Sequence, residues 1–95
     1  MQQPRFVIYS RSYCHLCDDM KEALLATFGL AADQVEMIDV DADATLEAQY
    51  DELVPVLMGR GADGGLTRLC HYFLDPAAVQ DFVQSSAHDA GAGSR

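Results

Sequence analysis

Two cysteines separated by two residues, Cys14 and Cys17, form the pattern in this sequence that most clearly implies chemistry. They follow a short apolar run at residues 6–9 and open a segment with helical periodicity. Two thiols three positions apart at the start of a helix lie within reach of each other. The unpaired N–H groups and the helix dipole there stabilise a thiolate on the first. Because the thiolate is the species that attacks a disulfide, the pattern predicts a redox centre.

Position along the predicted helix divides the chemistry between the two thiols. Cys14 lies nearest the helix N-terminus, and the positive charge of Arg11 just before it also favours a thiolate, so we expect Cys14 to be the nucleophile. Cys17 lies one turn further along, where it is shielded, and we expect it to attack the mixed disulfide and release the product. The alternative interpretation is that both are ordinary half-buried thiols.

Two ionisable neighbours are predicted to tune the acidity of Cys14. Asp18 follows Cys14 by four residues, shares its helix face and opposes the thiolate, whereas His15 as an imidazolium stabilises it. Each has a simpler alternative. An acidic residue near a helix start favours the helix dipole, and His15 can be an exposed spectator.

A metal site that combines Cys70 and His71 with the cysteine pair is a further alternative. Adjacent residues of a strand point to opposite faces, so Cys70 and His71 cannot easily serve one site. The sequence also has no second C-x-x-C motif. We therefore expect no metal ligands, and we expect Cys70 to be a small core residue.

Length, composition and charge restrict the class of protein. The 95 residues, 49% of them hydrophobic, suffice for one domain with a single core. A net charge of −9 with only six Lys and Arg residues argues against binding to nucleic acid or to anionic lipid. No apolar run is long enough to span a membrane, no signal-peptide pattern is present, and three cysteines fit a disulfide framework poorly. We therefore expect a cytoplasmic protein, and we also expect a monomer without a bound cofactor.

Apolar periodicity and turn residues divide the chain into seven elements in the order βαβαββα. Their predicted bounds are residues 5–10, 14–28, 35–41, 43–53, 54–58, 66–74 and 75–87. Gly29 ends the first helix, Asp43 and Asp75 cap the other two, and residues 59–65 form a turn. Residues 88–95 are predicted to be a flexible tail beyond a domain of residues 1–87. The first helix is predicted to bury four apolar residues spaced four apart: Leu16, Met20, Leu24 and Phe28.

The segment around the cysteine pair resembles the active-site segment of glutaredoxins. Residues 9–17 read Tyr-Ser-Arg-Ser-Tyr-Cys-His-Leu-Cys, and glutaredoxins carry a similar tyrosine–serine–basic stretch before C-x-x-C. Val54-Pro55 falls where their fold has a cis-proline. The C-H-L-C motif followed by Asp is especially similar to a group of small bacterial glutaredoxin-like proteins, and the resemblance covers residues 5–83.

The resemblance implies an α/β thioredoxin-like fold, with a four-stranded mixed sheet flanked by helices. It implies a thiol–disulfide oxidoreductase that acts on protein or low-molecular-weight disulfides, with glutathione as a cosubstrate. It also implies substrate contacts at Arg11, Tyr13, Val54 and Pro55, and a cis bond that leaves the Val54 backbone free to pair with an extended substrate. Two alternatives stay open: a binding module of the same fold with a non-catalytic cysteine pair, and a metal or iron–sulfur carrier.

One segment departs from the glutaredoxin pattern. Glutaredoxins usually follow their last strand with a Gly-Gly loop and paired acids that hold the γ-glutamyl end of glutathione. Here Gly64-Gly65 precedes the last strand and is typical of a turn. The amides of Ala77 and Ala78 at the last helix start could take a carboxylate, but Asp75 as the cap already occupies part of that site. We therefore expect weak activity on glutathionylated substrates.

Overall fold

The computed structural model describes residues 4–12 and 14–92, which form a mixed sheet covered by helices. The strands in this part of the chain are β1 (Phe6–Ser10), β2 (Val35–Asp39), β3 (Val56–Arg60) and β4 (Leu66–His71). The α-helices are α1 (His15–Phe28), α2 (Ala44–Tyr50) and α3 (Pro76–Ala92). Short 3₁₀ turns at residues 32–34 and 40–42 precede β2 and α2. The predicted α/β fold and the order βαβαββα are confirmed.

Strand β1 lies inside the sheet, whose strand order is β2–β1–β3–β4. It pairs in parallel with β2 and antiparallel with β3, which forms an antiparallel hairpin with β4. All five residues of β1 are buried, as expected for a strand covered on both faces. The parallel register aligns Ser10 with Asp39, so the chain leaves β1 and β2 at the same edge of the sheet.

Two apolar clusters pack against the two faces of the sheet, and side chains of β1 alternate between them. The larger cluster joins one face to α1 and α3 through Phe6, Ile8, Met20, Leu24, Val35, Leu57 and Val79. The smaller cluster packs against α2 through Val7, Tyr9, Val40, Val56 and Met58. Met20 and Leu24 therefore fix α1, and with it the cysteine pair at its start, to the sheet.

The buried face of α1 differs from the predicted face in the first turn. Cys17, Met20 and Leu24 are the buried residues of this helix, whereas Leu16 is 39% exposed. Residues 17, 20 and 24 follow the 3.6-residue period, while a strict spacing of four drifts around the helix. The prediction that Leu16 packs into the core is therefore wrong.

Two of the predicted helix ends are confirmed by local geometry. Gly29 ends α1 in the left-handed region, with φ at 62°, which glycine adopts without steric cost. The Asp43 carboxylate caps α2 by accepting hydrogen bonds from the N–H groups of Thr45, across 2.8 Å, and Leu46, across 3.3 Å. Both ends depend on residues close in sequence, which explains why local patterns predict them.

Three strands end at residues other than the predicted ones, and β1 and β3 begin at Phe6 and Val56 instead of residues 5 and 54. Strand β2 ends at Asp39, because Val40 turns into the smaller cluster, where it is fully buried. Strand β3 continues through residue 60, because the N–H of Arg60 donates to the Arg5 carbonyl across 2.8 Å. Residues 59 and 60 are therefore strand and not turn. Strand β4 ends at His71, three residues before the predicted end.

Two further predictions concern single features of the backbone. The Val54–Pro55 peptide bond is cis, as the resemblance implies. Helix α3 continues to Ala92, so residues 88–92 of the predicted tail have helical backbone, and residues 93–95 lie outside the described residues. The domain boundary at residue 87 stays a prediction.

Among the described helices, none combines the length and the apolar character that a membrane span requires.

Candidate redox site

The cysteine pair lies at the junction between β1 and α1. Cys14 and Cys17 form a disulfide with their Cα atoms 5.3 Å apart, and Cys14 occupies the N-cap position of α1. The backbone N–H of Cys17 donates a hydrogen bond to Sγ of Cys14 across 3.2 Å. An N–H group at a helix start that is aimed at this sulfur stabilises negative charge on it. The geometry therefore favours a thiolate at Cys14 once the disulfide is reduced.

The two cysteines differ in their access to solvent. Cys14 is partly exposed, whereas Cys17 is only 1% exposed, because it lies on the face of α1 that packs against the sheet. Cys14 is therefore the cysteine of the pair that solvent can reach, and Cys17 is shielded from solvent by the fold.

A surface cleft of about 380 Å³ joins the cysteine pair to the ends of β1 and β2. Its lining consists of Ser10, Arg11, Cys14, His15, Cys17, Asp18 and Met37. The cleft thus brings both thiols together with the three ionisable residues that the sequence singles out. Ser10 and Met37 are absent from the sequence prediction. The signal for Met37 is the parallel register, which places it opposite Ile8 of β1.

The charge of Arg11 is shared with an acidic residue beyond β2. Its Nη2 atom lies 3.0 Å from the Asp41 carboxylate, and its Nε donates to Asp41 across 3.3 Å. The hydrogen bond and the negative charge of Asp41 raise the pKa of Arg11. The hydroxyl of Ser12 donates to Asp39 across 3.3 Å, so the loop before Cys14 is tied to the end of β2. Arg11 therefore favours the Cys14 thiolate less than an unpaired cation would.

The backbone around Pro55 is engaged in hydrogen bonds. The N–H of Val54 donates to the carbonyl of Tyr50 at the end of α2 across 3.1 Å, and the carbonyl of Pro55 accepts from the N–H of Tyr72 across 2.8 Å. A substrate strand that pairs with the Val54 N–H must displace the bond to Tyr50, in contrast to the free backbone that the resemblance implies. Tyr13, the remaining predicted contact, lies outside the described residues.

Comparison with known protein families identifies the family to which the chain belongs. The sequence model described as "Glutaredoxin-like domain (DUF836)" matches residues 5–84. The chain belongs to this glutaredoxin-like family. None of the curated proteins matches the sequence significantly.

Solved structures share the fold over most of this glutaredoxin-like chain. The solution NMR structure of protein Ne2328 from Nitrosomonas europaea is 30% identical, with a TM-score of 0.70 over 86% of this chain and 93% of that one. The X-ray structure of protein XcR50 from X. campestris is also 30% identical, with a TM-score of 0.58 over 84% of this chain and 96% of that one. Oxidised mitochondrial thioredoxin 3 from Saccharomyces cerevisiae is 18% identical, with a TM-score of 0.58 over 87% and 80% of the two chains. This last likeness shows a shared thioredoxin-like fold.

The connection between β4 and α3 of this glutaredoxin-like domain ends in an occupied helix cap. The carboxylate of Asp75 accepts hydrogen bonds from the N–H groups of Ala77, across 3.1 Å, and Ala78, across 3.3 Å. Pro76, which has no N–H, takes the first helical position, so these are the first two amides that α3 offers. The predicted cap is confirmed, and a carboxylate ligand must compete with Asp75 for these amides.

The third cysteine lies apart from the redox cleft. Cys70 is partly buried and packs against the larger apolar cluster, and this burial raises the pKa of its thiol. His71, the next residue, is exposed. Among the residues whose side chains the structure describes, no group of three or more His, Cys, Asp or Glu is arranged to hold a metal ion.

Proposed function

We propose that this glutaredoxin-like chain is a thiol–disulfide oxidoreductase that uses both cysteines of the C-x-x-C pair. The observation that carries the proposal is the asymmetry of the pair. Cys14 is partly exposed and its Sγ accepts a hydrogen bond from the N–H of Cys17, while Cys17 is buried and bonded to it. One thiol is thus arranged to meet a substrate and the other to complete the reaction.

The reaction consists of two thiol–disulfide exchanges. The Cys14 thiolate attacks one sulfur of a substrate disulfide, which forms a mixed disulfide and releases the other sulfur as a thiolate that takes up a proton. Cys17 then loses its proton and attacks Sγ of Cys14, which forms the Cys14–Cys17 disulfide and releases the second substrate thiolate. The substrate gains two electrons and the cysteine pair loses two, so an external thiol must reduce the pair before the next cycle.

The substrates in this proposal are protein or low-molecular-weight disulfides. An external thiol returns electrons to the pair, and glutathione is one candidate for it. No bound organic cofactor takes part. We place the reaction in the bacterial cytoplasm, where thiols are mostly reduced, and we expect the protein to act as a monomer. The net charge of −9 supports the exclusion of nucleic acid and anionic membrane as partners.

Selective alkylation and trapping test the division of labour. Brief alkylation of the reduced protein near neutral pH should modify Cys14 first and Cys70 last. Cys17→Ser should accumulate a mixed disulfide at Cys14 with a peptide disulfide, whereas Cys14→Ser should form none. Cys70→Ser serves as the matched control and should turn over like the wild type. Preferential alkylation of Cys17 would overturn the assignment, and an intact pair that reduces no disulfide would favour the binding-module alternative.

A further inference from the structure

An apolar groove lies beside the cysteine pair, between α1 and the connection from β4 to α3. It has a volume of about 220 Å³ and is lined by Leu16, Asp19, Met20, Ala23, Tyr72, Phe73 and Leu74. Among the residues whose side chains the structure describes, the large hydrophobic residues that are exposed are Leu16 at 39%, Tyr72 at 41% and Phe73 at 70%. All three line this groove. Their exposed area is therefore concentrated next to the redox centre and not scattered over the surface.

The aromatic wall of the groove is held in place by backbone geometry. Tyr72 has a φ of 65°, a left-handed conformation that a bulky residue rarely adopts. Its N–H donates to the Pro55 carbonyl across 2.8 Å, and its hydroxyl donates to the Glu52 carbonyl. These contacts hold the Tyr72 ring at the groove and direct the chain so that Phe73 projects into solvent. Backbone strain of this kind is concentrated at functional sites in proteins.

The groove shares the first turns of α1 with the two thiols. Leu16 lies between Cys14 and Cys17 in the sequence and forms part of the opposite wall of the groove. A polypeptide whose cysteine is bonded to Cys14 therefore has its neighbouring residues within reach of this surface. Leu16, which is left out of the core because Cys17 takes the buried position in the first turn, lines this groove instead.

Charge distinguishes between the partners that an apolar groove can accept. Asp19 is the acidic residue in the lining, and Asp18 and Asp75 are next in sequence to the lining residues Asp19 and Leu74. The chain as a whole carries a net charge of −9. A second copy of the chain is therefore repelled, whereas a basic partner is attracted. Glutathione has no apolar side chain to fill the groove and carries carboxylates that Asp75 opposes.

We propose that this groove binds an apolar side chain next to the disulfide of a polypeptide substrate, and that the substrate segment also carries basic residues. The inference rests on the proposed thiol–disulfide exchange and adds the class of disulfide that is preferred. Leu16, Tyr72 and Phe73 supply the apolar contact, and Asp19 at the edge of the groove pairs with the basic residue. The groove thus offers a substrate contact to a chain whose Gly64-Gly65 precedes the last strand instead of following it.

The test measures single-turnover reduction of peptide disulfides by the reduced protein. Each peptide carries one cysteine bonded to a small thiol, with Leu or Ser placed one to three residues away on either side, and with Lys or Glu beyond it. We expect at least one Leu peptide to react roughly tenfold faster than its Ser counterpart, a ratio typical of one apolar group in a pocket. We expect Lys peptides to react faster than Glu peptides, with a difference that shrinks as salt is added.

Variants compare the two peptides within each protein, so that changes in the chemistry cancel. Phe73→Ala, at an exposed position where folding is not at risk, should reduce the Leu-to-Ser ratio toward one. Asp19→Asn should reduce the Lys-to-Glu ratio. Asp33→Asn makes the same change in net charge at a residue outside the groove lining, and it should leave both ratios unchanged. Equal rates for all Leu and Ser peptides would overturn the inference while leaving the exchange reaction intact. Failure to reduce even hydroxyethyl disulfide would overturn the proposed function itself. A dimer that dissociates on Phe73→Ala substitution would show that the groove binds a second copy, which also overturns the inference.

Discussion

Replacement of Asp75 separates the two roles that its carboxylate has in this structure. The carboxylate accepts hydrogen bonds from two amides at the start of α3, at 3.1 Å and 3.3 Å. Asp75→Ala leaves both amides without this partner. Loss of an N-cap side chain costs about 1 kcal/mol of stability, within a range of roughly 0.5–2. For a domain of 95 residues this corresponds to a decrease in Tm of about 4–8 °C.

Asp75→Ser is the matched control, because serine retains a cap oxygen while the negative charge is lost. We expect Asp75→Ser to retain most of the stability that Asp75→Ala loses. Urea denaturation of the oxidised proteins, with the cysteine pair closed in every variant, measures both changes. Equal free energies of unfolding for the wild type and Asp75→Ala would refute the energetic role that we assign to the cap.

The same two variants test whether Asp75 excludes glutathione. In Asp75→Ala the N–H groups of Ala77 and Ala78 become available at a helix start, where a carboxylate is stabilised. We expect single-turnover reduction of a glutathionylated peptide to increase several-fold, relative to the same peptide bonded to mercaptoethanol. If glutathione is excluded because the two amides are already occupied, Asp75→Ser should reduce the glutathionylated peptide as slowly as the wild type does. If glutathione is excluded by the negative charge of Asp75, both variants should reduce it faster. No increase in either variant would refute the argument that the cap blocks this ligand.

Three further predictions concern the acidity of the cysteines and the packing of the sheet. Asp18→Asn removes a carboxylate from the redox cleft, so the thiolate fraction of reduced Cys14 near neutral pH should rise roughly two- to tenfold, as measured by thiolate absorbance. Gly59→Ala should lower the free energy of unfolding by about 1–3 kcal/mol in urea denaturation, because the added Cβ lies 2.6 Å from carbons of the Phe82 ring. Burial raises the pKa of the Cys70 thiol in the folded protein. As pH rises past about 8.5, Cys70 therefore ionises in the unfolded chain before it ionises in the folded protein. Stability should therefore be full below that pH and decline above it, and denaturation of Cys70→Ala across the same pH series should show a smaller decline.

The main features of the redox site follow from signals that are local in the chain. The apolar run of β1, the helix start at Cys14 and Gly29 at the end of α1 lie within about one strand and one helix, and each acts through its own backbone geometry. The caps Asp43 and Asp75 bond to amides two and three residues ahead. Element order and the placement of both thiols were therefore predictable from the sequence.

Contacts between distant segments decided the remainder. The ion pair of Arg11 with Asp41, which lies 30 positions further along the chain, changes the expected role of a residue whose identity the sequence states. The sequence states the positive charge of Arg11, but the effect of that charge on Cys14 depends on which acidic residue the fold brings beside Arg11. Asp41 takes this position because β1 pairs in parallel with β2, and no local sequence pattern specifies that pairing.

The sequence by itself determined where the two thiols lie, and the tertiary structure decided which surfaces surround them. Cys14 and Cys17 come together because of their spacing at a helix start, a property of one segment. The groove beside them requires Leu16 from α1 and the Tyr72–Phe73 pair from the connection before α3. These residues lie more than fifty positions apart, and Leu16 faces outward only because Cys17 takes the buried place in the first turn. The spacing of apolar residues along α1 wrongly assigned Leu16 to the core. This spacing indicates which face of a helix is apolar, but it does not indicate which part of that face other elements cover.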